Sequence, residues 1–138
     1  MDDFPSLVST EWLAARLDDR SIAVLDASRH LPATGRDPRA EYEAAHIPGA
    51  RFLDLASLSD PASPVPAALP TGEQVAARLA ALGVGAEAAI ILYDDSAVKT
   101  SARAWFALTE AGRGAVAILD GGLGKWRDEG RPLESGPG

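Results

Sequence analysis

Residues 89–100 read Ala89-Ile90-Ile91-Leu92-Tyr93-Asp94-Asp95-Ser96-Ala97-Val98-Lys99-Thr100, an unbroken apolar run that ends abruptly in two acids and a polar loop. A short continuous run of this kind is how a strand buried on both faces of a parallel sheet reads. Two other stretches share the form. Ile22 to Ala27 (IAVLDA) ends in Asp26, and Ala115 to Leu119 (AVAIL) runs into Asp120-Gly121-Gly122. Helical stretches lie between them. Ser9 or Thr10 caps a short helix through Leu17, on which Trp12, Leu13, Ala15 and Arg16 give two unlike faces. Pro38 opens a helix with Ala40, Tyr42 and Ala44 that has to stop before Pro48. The Pro48-Gly49 turn leads to a brief strand, Ala50 to Leu53. Thr71 with Gln74 makes a capping-box-like start to a helix through Val75, Leu79 and Leu82, which ends at Gly83 as its C′ residue. A further helix covers roughly Ser101 to Ala111, and the last holds Leu123 and Trp126. Strands alternating with helices predict a three-layer α/β/α domain with a central, mainly parallel sheet.

Composition sets the outer limits. The chain has 138 residues, 46% hydrophobic and 24% charged, which suits one soluble globular domain. Its net charge of −7 and 13 scattered basic residues exclude a general phosphate-binding role on nucleic acid or an anionic membrane. No apolar run approaches a membrane span. The start MDDFPSLVST lacks the basic and apolar blocks of a signal peptide, so a cytoplasmic location is expected. Ser57 to Pro70 carries Pro61, Pro64, Pro66 and Pro70 and reads as an irregular excursion. The domain is expected over residues 1–130, with 131–138 read as the start of a linker.

There is no cysteine. Disulfides, thiolate metal sites and cysteine nucleophiles are thereby removed together. His30 and His46 have no second ligand at helical or hairpin spacing, so no metal is expected. No Walker loop, G-x-S-x-G elbow or dinucleotide fingerprint is present, and no cofactor is expected. Ligands of doubly wound folds sit outside the carboxyl ends of the strands. That singles out Asp26-Ala27-Ser28, Asp94 through Thr100, and Asp120-Gly121-Gly122. Acids in such places also serve as turn formers and caps, and for Asp26 and Asp120 both readings stay open.

Several motifs occur together in order: Val24-Leu25-Asp26-Ala27-Ser28, Gly35-Arg36-Asp37, Glu41-Tyr42, His46-Ile47-Pro48-Gly49-Ala50, Ser59-Asp60, Ser63-Pro64, Leu69-Pro70, Tyr93-Asp94, Ser101-Ala102-Arg103-Ala104-Trp105, and Leu119-Asp120-Gly121-Gly122 with Trp126. In this order and spacing the chain resembles the rhodanese family over nearly its whole length. The likeness is to the N-terminal domain of tandem thiosulfate or 3-mercaptopyruvate sulfurtransferases. The resemblance implies a second domain whose loop opens with a Cys, held as thiolate by backbone N–H groups and a helix N-terminus. Asp94 stands at that Cys position here. A carboxylate cannot take up and pass on a sulfane sulfur, so the loop Asp94 to Thr100 is expected to be catalytically inert.

An aspartyl-phosphate role for Asp94 would need metal carboxylates, a hydroxyl and a lysine from separate strands. Here Asp94, Asp95, Ser96 and Lys99 share one loop, and only Asp26 could converge on it. Capping of the loop or the next helix is the expected role. The family carries the His46-Ile47-Pro48-Gly49 motif in catalytic and non-catalytic domains alike. His46 is therefore expected to be framework, bonding backbone groups with both ring nitrogens. The resemblance also places part of the helix with Arg103 and Trp105 near the interface with a catalytic rhodanese domain, the expected partner. In mercaptopyruvate-type members the N-terminal domain lends a His and an Asp to the reaction. Those positions align with Ala67 and Ala56, neither of which can move a proton. Two readings follow: the supporting half of a tandem sulfurtransferase, or a free-standing inactive rhodanese fold used for binding or regulation.

Overall fold

The computed structural model of the chain describes residues 7–19, 21–28, 35, 37–53, 72–84, 88–94, 100–110 and 115–136. In chain order its elements are β1 (Leu7–Val8), α1 (Thr10–Ala14), β2 (Ile22–Asp26), α2 (Pro38–Ala44), β3 (Arg51–Phe52), α3 (Gly72–Ala81), β4 (Ala89–Tyr93), α4 (Thr100–Glu110), β5 (Val116–Leu119) and α5 (Gly122–Asp128). The five strands form one sheet in the order β1-β5-β4-β2-β3, and every pairing is parallel. The expected α/β fold is present, and each apolar run is a strand. The edge strand β1 was not expected. Two residues carry no periodicity, and Leu7 is held by parallel pairing with Ile118 while its side chain stays exposed. The irregular stretch expected over Ser57 to Pro70 and the cap expected at Thr71 lie outside the described residues.

Alternation along the strands builds the two covered faces. Ile91 and Tyr93 of β4 join Val24, Ala117 and Leu119 in one core cluster with Leu13 of α1, Tyr42 of α2, and Leu123 and Trp126 of α5. Ile90 and Leu92 point the other way, with Leu25 and Val116, onto Val75 and Leu79 of α3 and Ala104 and Leu108 of α4. Because successive strand residues face opposite sides, a strand covered on both has to be apolar throughout. That is the physical origin of AIILY.

Local signals fix the ends of the helices. Ser9 caps α1, its Oγ accepting the Trp12 N–H at 3.0 Å. Asp37 caps α2 by accepting from the N–H groups of Arg39 and Ala40, and Pro38 occupies the first turn. Gly83, at φ +79°, closes α3: its N–H donates to Ala80 and the Val84 N–H donates to Leu79. This is the paired bonding of a Schellman motif, with Val84 and Leu79 in the same apolar cluster.

The chain winds outward from β2 to β3, returns to β4 on the other side of β2, and continues to β5. The direction reverses between β2 and β4, so the crevice expected of such a sheet opens at Asp26 and Asp94. The turn after β5 closes against this point, since the Leu123 N–H donates to the Asp94 carbonyl at 3.0 Å. The approach needs a glycine. A Cβ on Gly122, whose φ is +60°, would lie 2.5 Å from that same oxygen.

Gly83 and Gly122 should therefore respond differently to alanine. At Gly83 the new methyl meets only Arg51 Nη2 at 3.9 Å, so the cost is the left-handed backbone alone, about 1–2 kcal/mol. Gly122→Ala adds a backbone clash and should cost about 3 kcal/mol or more. Urea denaturation of the two variants is the check, and equal losses would contradict the close approach.

Candidate functional site: the carboxyl ends of β2 and β4

Two buried carboxylates mark the crevice. Asp26 ends β2, and its Oδ1 accepts the Ser28 N–H at 2.9 Å. The Tyr93 hydroxyl, which accepts the Ile47 N–H at 3.3 Å, lies beside this carboxyl. Burial pushes the Asp26 pKa up; the Ser28 bonds and the nearby Tyr93 hydroxyl oppose that shift, and the charge of Asp94 adds to it. Burial, followed by the charge of Asp26, drives the Tyr93 phenol well above its ordinary range. Tyr93 is thus held neutral as a hydrogen-bonding link. A main-chain bond, Ala27 N–H to Tyr93 carbonyl at 2.7 Å, ties the two strand ends together.

Asp94 faces the next helix. Its Oδ2 accepts the Ser101 N–H at 2.8 Å and the Ser101 hydroxyl at 2.5 Å. Ser101 lies in the first turn of α4, so the carboxylate takes up one of the N–H groups that a helix start leaves without a partner. This is the capping arrangement expected from the sequence. Asp95, Ser96, Ala97, Val98 and Lys99 lie outside the described residues. A groove of about 340 Å³ runs beside Asp94 and Ser101, walled by Leu7, Ile118, Asp120 and Gly122. Asp120 is exposed, and its N–H donates to the Val8 carbonyl at 2.8 Å, which joins β5 to the edge strand.

His46 stands apart from the groove. Its Nδ1 donates to the Tyr42 carbonyl at 2.8 Å, and its Nε2 lies 3.3 Å from Glu134 Oε1. The expectation of two backbone partners is corrected here, because the second partner is a carboxylate. The fully buried ring stacks on Tyr42, with centroids 4.2 Å apart and planes 11° from parallel. Pro48 and Gly49 form the turn below it, and the Gly49 N–H donates to the same Glu134 oxygen at 2.8 Å. That bond, with His46 second, lowers the Glu134 pKa against the opposing effect of desolvation. Trp105 is half-buried on α4, donating its indole N–H to the Val116 carbonyl at 3.0 Å, while Phe106 beside it is exposed. Arg103 is on α4, and its side chain is outside the described residues. His30, Ala56 and Ala67 are outside them too.

The structure thus gathers Asp26, Ser28, Tyr93, Asp94 and Ser101 at the strand ends. It leaves His46 in a framework cluster with Tyr42, Gly49 and Glu134. Sequence reasoning did not assign Ser101 or Glu134 a role. Ser101 is seven residues from Asp94, a spacing with no fixed meaning across a loop, and Glu134 lies in a Gly-, Pro- and Ser-rich tail. Among the described residues no group of three or more His, Asp or Glu is placed to hold a metal ion. No described helix is long and apolar enough to cross a membrane.

The Rhodanese-like domain family matches residues 9–129, and the chain belongs to that family. It is 41% identical over 137 residues to human 3-mercaptopyruvate sulfurtransferase, covering 95% of this chain and 46% of that protein. It is 40% identical over 129 residues to the mitochondrial thiosulfate/3-mercaptopyruvate sulfurtransferase 1 of Arabidopsis thaliana, covering 94% and 34%. Among solved structures it matches SseA from Escherichia coli, described as a 3-mercaptopyruvate sulfotransferase, with a TM-score of 0.87 at 39% identity over 95% of this chain and 50% of that one. The Tum1 protein of Saccharomyces cerevisiae gives a TM-score of 0.85 at 26% identity over 99% and 46%. The chain therefore spans about half or less of the length of these relatives, as one rhodanese domain of a tandem protein would.

Removing the Asp94 carboxylate leaves the buried Ser101 donors without that acceptor. Asp94→Ala should cost about 1–3 kcal/mol, and Asp94→Asn, which keeps an acceptor oxygen, clearly less; thermal and urea unfolding compare them.

Glu134 and Asp26 contribute to the pH dependence in opposite directions. Glu134, with a folded pKa below its unfolded value near 4.5, adds stability that is complete above 4.5 and is lost as pH falls through the folded value. Asp26, with a folded pKa above 3.8, is least costly at low pH and becomes destabilising as pH rises through its folded value. Glu134→Gln should therefore flatten the acid limb of the stability curve below about pH 4.5, as read by denaturation at a series of pH values. An unchanged acid limb would show that the Gly49 and His46 contacts contribute nothing.

Proposed function

We propose that this chain is the non-catalytic, N-terminal rhodanese domain of a tandem sulfurtransferase, and that it completes the active site of a Cys-bearing rhodanese domain. In the parent reaction the Cys thiolate of the second domain takes a sulfur atom from thiosulfate, releasing sulfite, or from 3-mercaptopyruvate, releasing pyruvate, and the persulfide so formed passes that sulfur to a thiol or cyanide acceptor. One observation carries the reading: the chain has no cysteine, and β4 runs into Asp94, which the resemblance aligns with the family's nucleophile. The carboxylate's use as a cap for α4 supports it, because the group is committed to holding the helix start. The sulfurtransferase names of the relatives, and the partial span of each that this chain covers, support the tandem setting. The motif series supports the N-terminal position.

The role of such a domain is physical. A wall at the mouth of the partner's cleft limits water and fixes the orientation of the donor. Ala56 and Ala67 cannot supply a proton relay, which favours thiosulfate as donor or a mechanism without that pair. The second reading, a free-standing inactive module for binding or regulation, rests on the same lack of cysteine and differs only in the partner.

The purified chain should show no thiosulfate:cyanide or mercaptopyruvate:thiol transfer above background. Titrated into a separately expressed Cys-bearing domain from the same source, it should bind with measurable heat and raise that domain's turnover. Inter-domain contacts of this kind bury roughly 600–1,500 Å², enough for docking but weak once effective concentration is lost. No heat and no change in activity at high micromolar concentrations would reject the completing role and favour the free-standing module.

A further inference from the structure

The composition of the tail, Arg131-Pro132-Leu133-Glu134-Ser135-Gly136-Pro137-Gly138, is that of a flexible linker. Its hydrogen bonding is not. His46 and Glu134 exchange both main-chain bonds, each at 2.8 Å, as an isolated antiparallel bridge. The Gly136 N–H donates to the Glu43 carbonyl at 2.7 Å, and the Pro132 carbonyl accepts the Trp126 indole N–H at 2.7 Å. Hydrogen bonds recur at residues 132, 134 and 136, with Leu133 and Ser135 exposed between them, the two-residue period of an extended chain lying on a surface. The anchors are spread over the end of α2, the Pro48-Gly49 turn and α5. Bonds at separated points fix the direction of a segment as well as its position.

We propose that Arg131–Gly136 is a rigid strut, locked by Glu134, that sets the direction in which the chain leaves this domain. Glu134 is the lock because it acts from both its main chain and its side chain. Its backbone pairs with His46, while Oε1 takes the Gly49 N–H and faces His46 Nε2. His46 is itself held by Tyr42 through a hydrogen bond and a ring stack, so the anchor is as firm as the core. On the tandem reading proposed above, a domain that follows is presented to the seam at a set angle. The linker would then contribute to docking through geometry as well as through tethering.

The lack of native cysteine allows clean spin labelling at two introduced sites. In a Glu11→Cys/Ser135→Cys chain, both labels replace exposed residues. Pulsed electron resonance should give a single narrow distance peak, and hydrogen exchange should show protected amides at Glu134 and Gly136. Adding Glu134→Ala should broaden the peak and remove the protection. Glu134→Gln, whose amide oxygen still accepts the Gly49 N–H, should keep both. A broad peak without the Glu134 change, or a narrow one in Glu134→Ala, overturns the strut. If Glu134→Ala does not fold by circular dichroism, the distance and exchange data on the Glu134 chain decide the matter alone. No catalytic partner enters the measurement, so its failure is distinct from failure of the completing role.

Discussion

Asp94 is bonded through both its side chain and its main chain, and the rest of the strand-end architecture depends on that. Its carboxylate receives the Ser101 N–H and hydroxyl at the start of α4, while its carbonyl receives the Leu123 N–H at the start of α5. One residue at the end of the central strand therefore orients helices on opposite faces of the sheet. The second bond is open only because Gly122 has no side chain. The pairing of acid and glycine is a packing constraint as much as a chemical one.

The same knot gives the rhodanese fold of this chain an internal anion at the start of α4. On the reading proposed here, the Cys-bearing relatives use the loop and helix N–H groups to hold an anionic sulfur that arrives with the substrate. In this chain the anion is built in and fixed. An internal acceptor holds the helix start in place without any bound ligand. On the same proposed reading, a carboxylate at this position opposes an incoming thiosulfate or mercaptopyruvate, a like-charge contact that works against sulfur chemistry at this loop.

Legibility in the sequence followed the range of the interactions. The long strands were readable because a strand covered on both faces has to be apolar at every position, as Ile90 and Leu92 on one side and Ile91 and Tyr93 on the other show. Caps at Ser9 and the C′ glycine at Gly83 act within a few residues and were equally plain. β1 was not readable, since Leu7 and Val8 are a strand only by virtue of β5, more than a hundred residues away. Nor was the second partner of His46. The motif around it announces a structured turn, but Glu134 is 88 residues distant in a segment whose composition suggests a linker.

That last pair shows why the turn after α2 belongs to the site although it does not line the groove beside Asp94. Glu134 fixes Gly49 and His46; the next residue, Ile47, gives its N–H to Tyr93, whose phenol lies beside the Asp26 carboxyl at the end of β2. Each link is buried except the first, where the Glu134 side chain is 47% exposed. A chain of hydrogen bonds in a low-dielectric interior rigidifies what it joins, and a missing member leaves its neighbour unsatisfied at a cost. The strand-end acid, the His-Ile-Pro-Gly turn and the tail thus form one connected support, and its outermost member is the one that solvent and pH reach first.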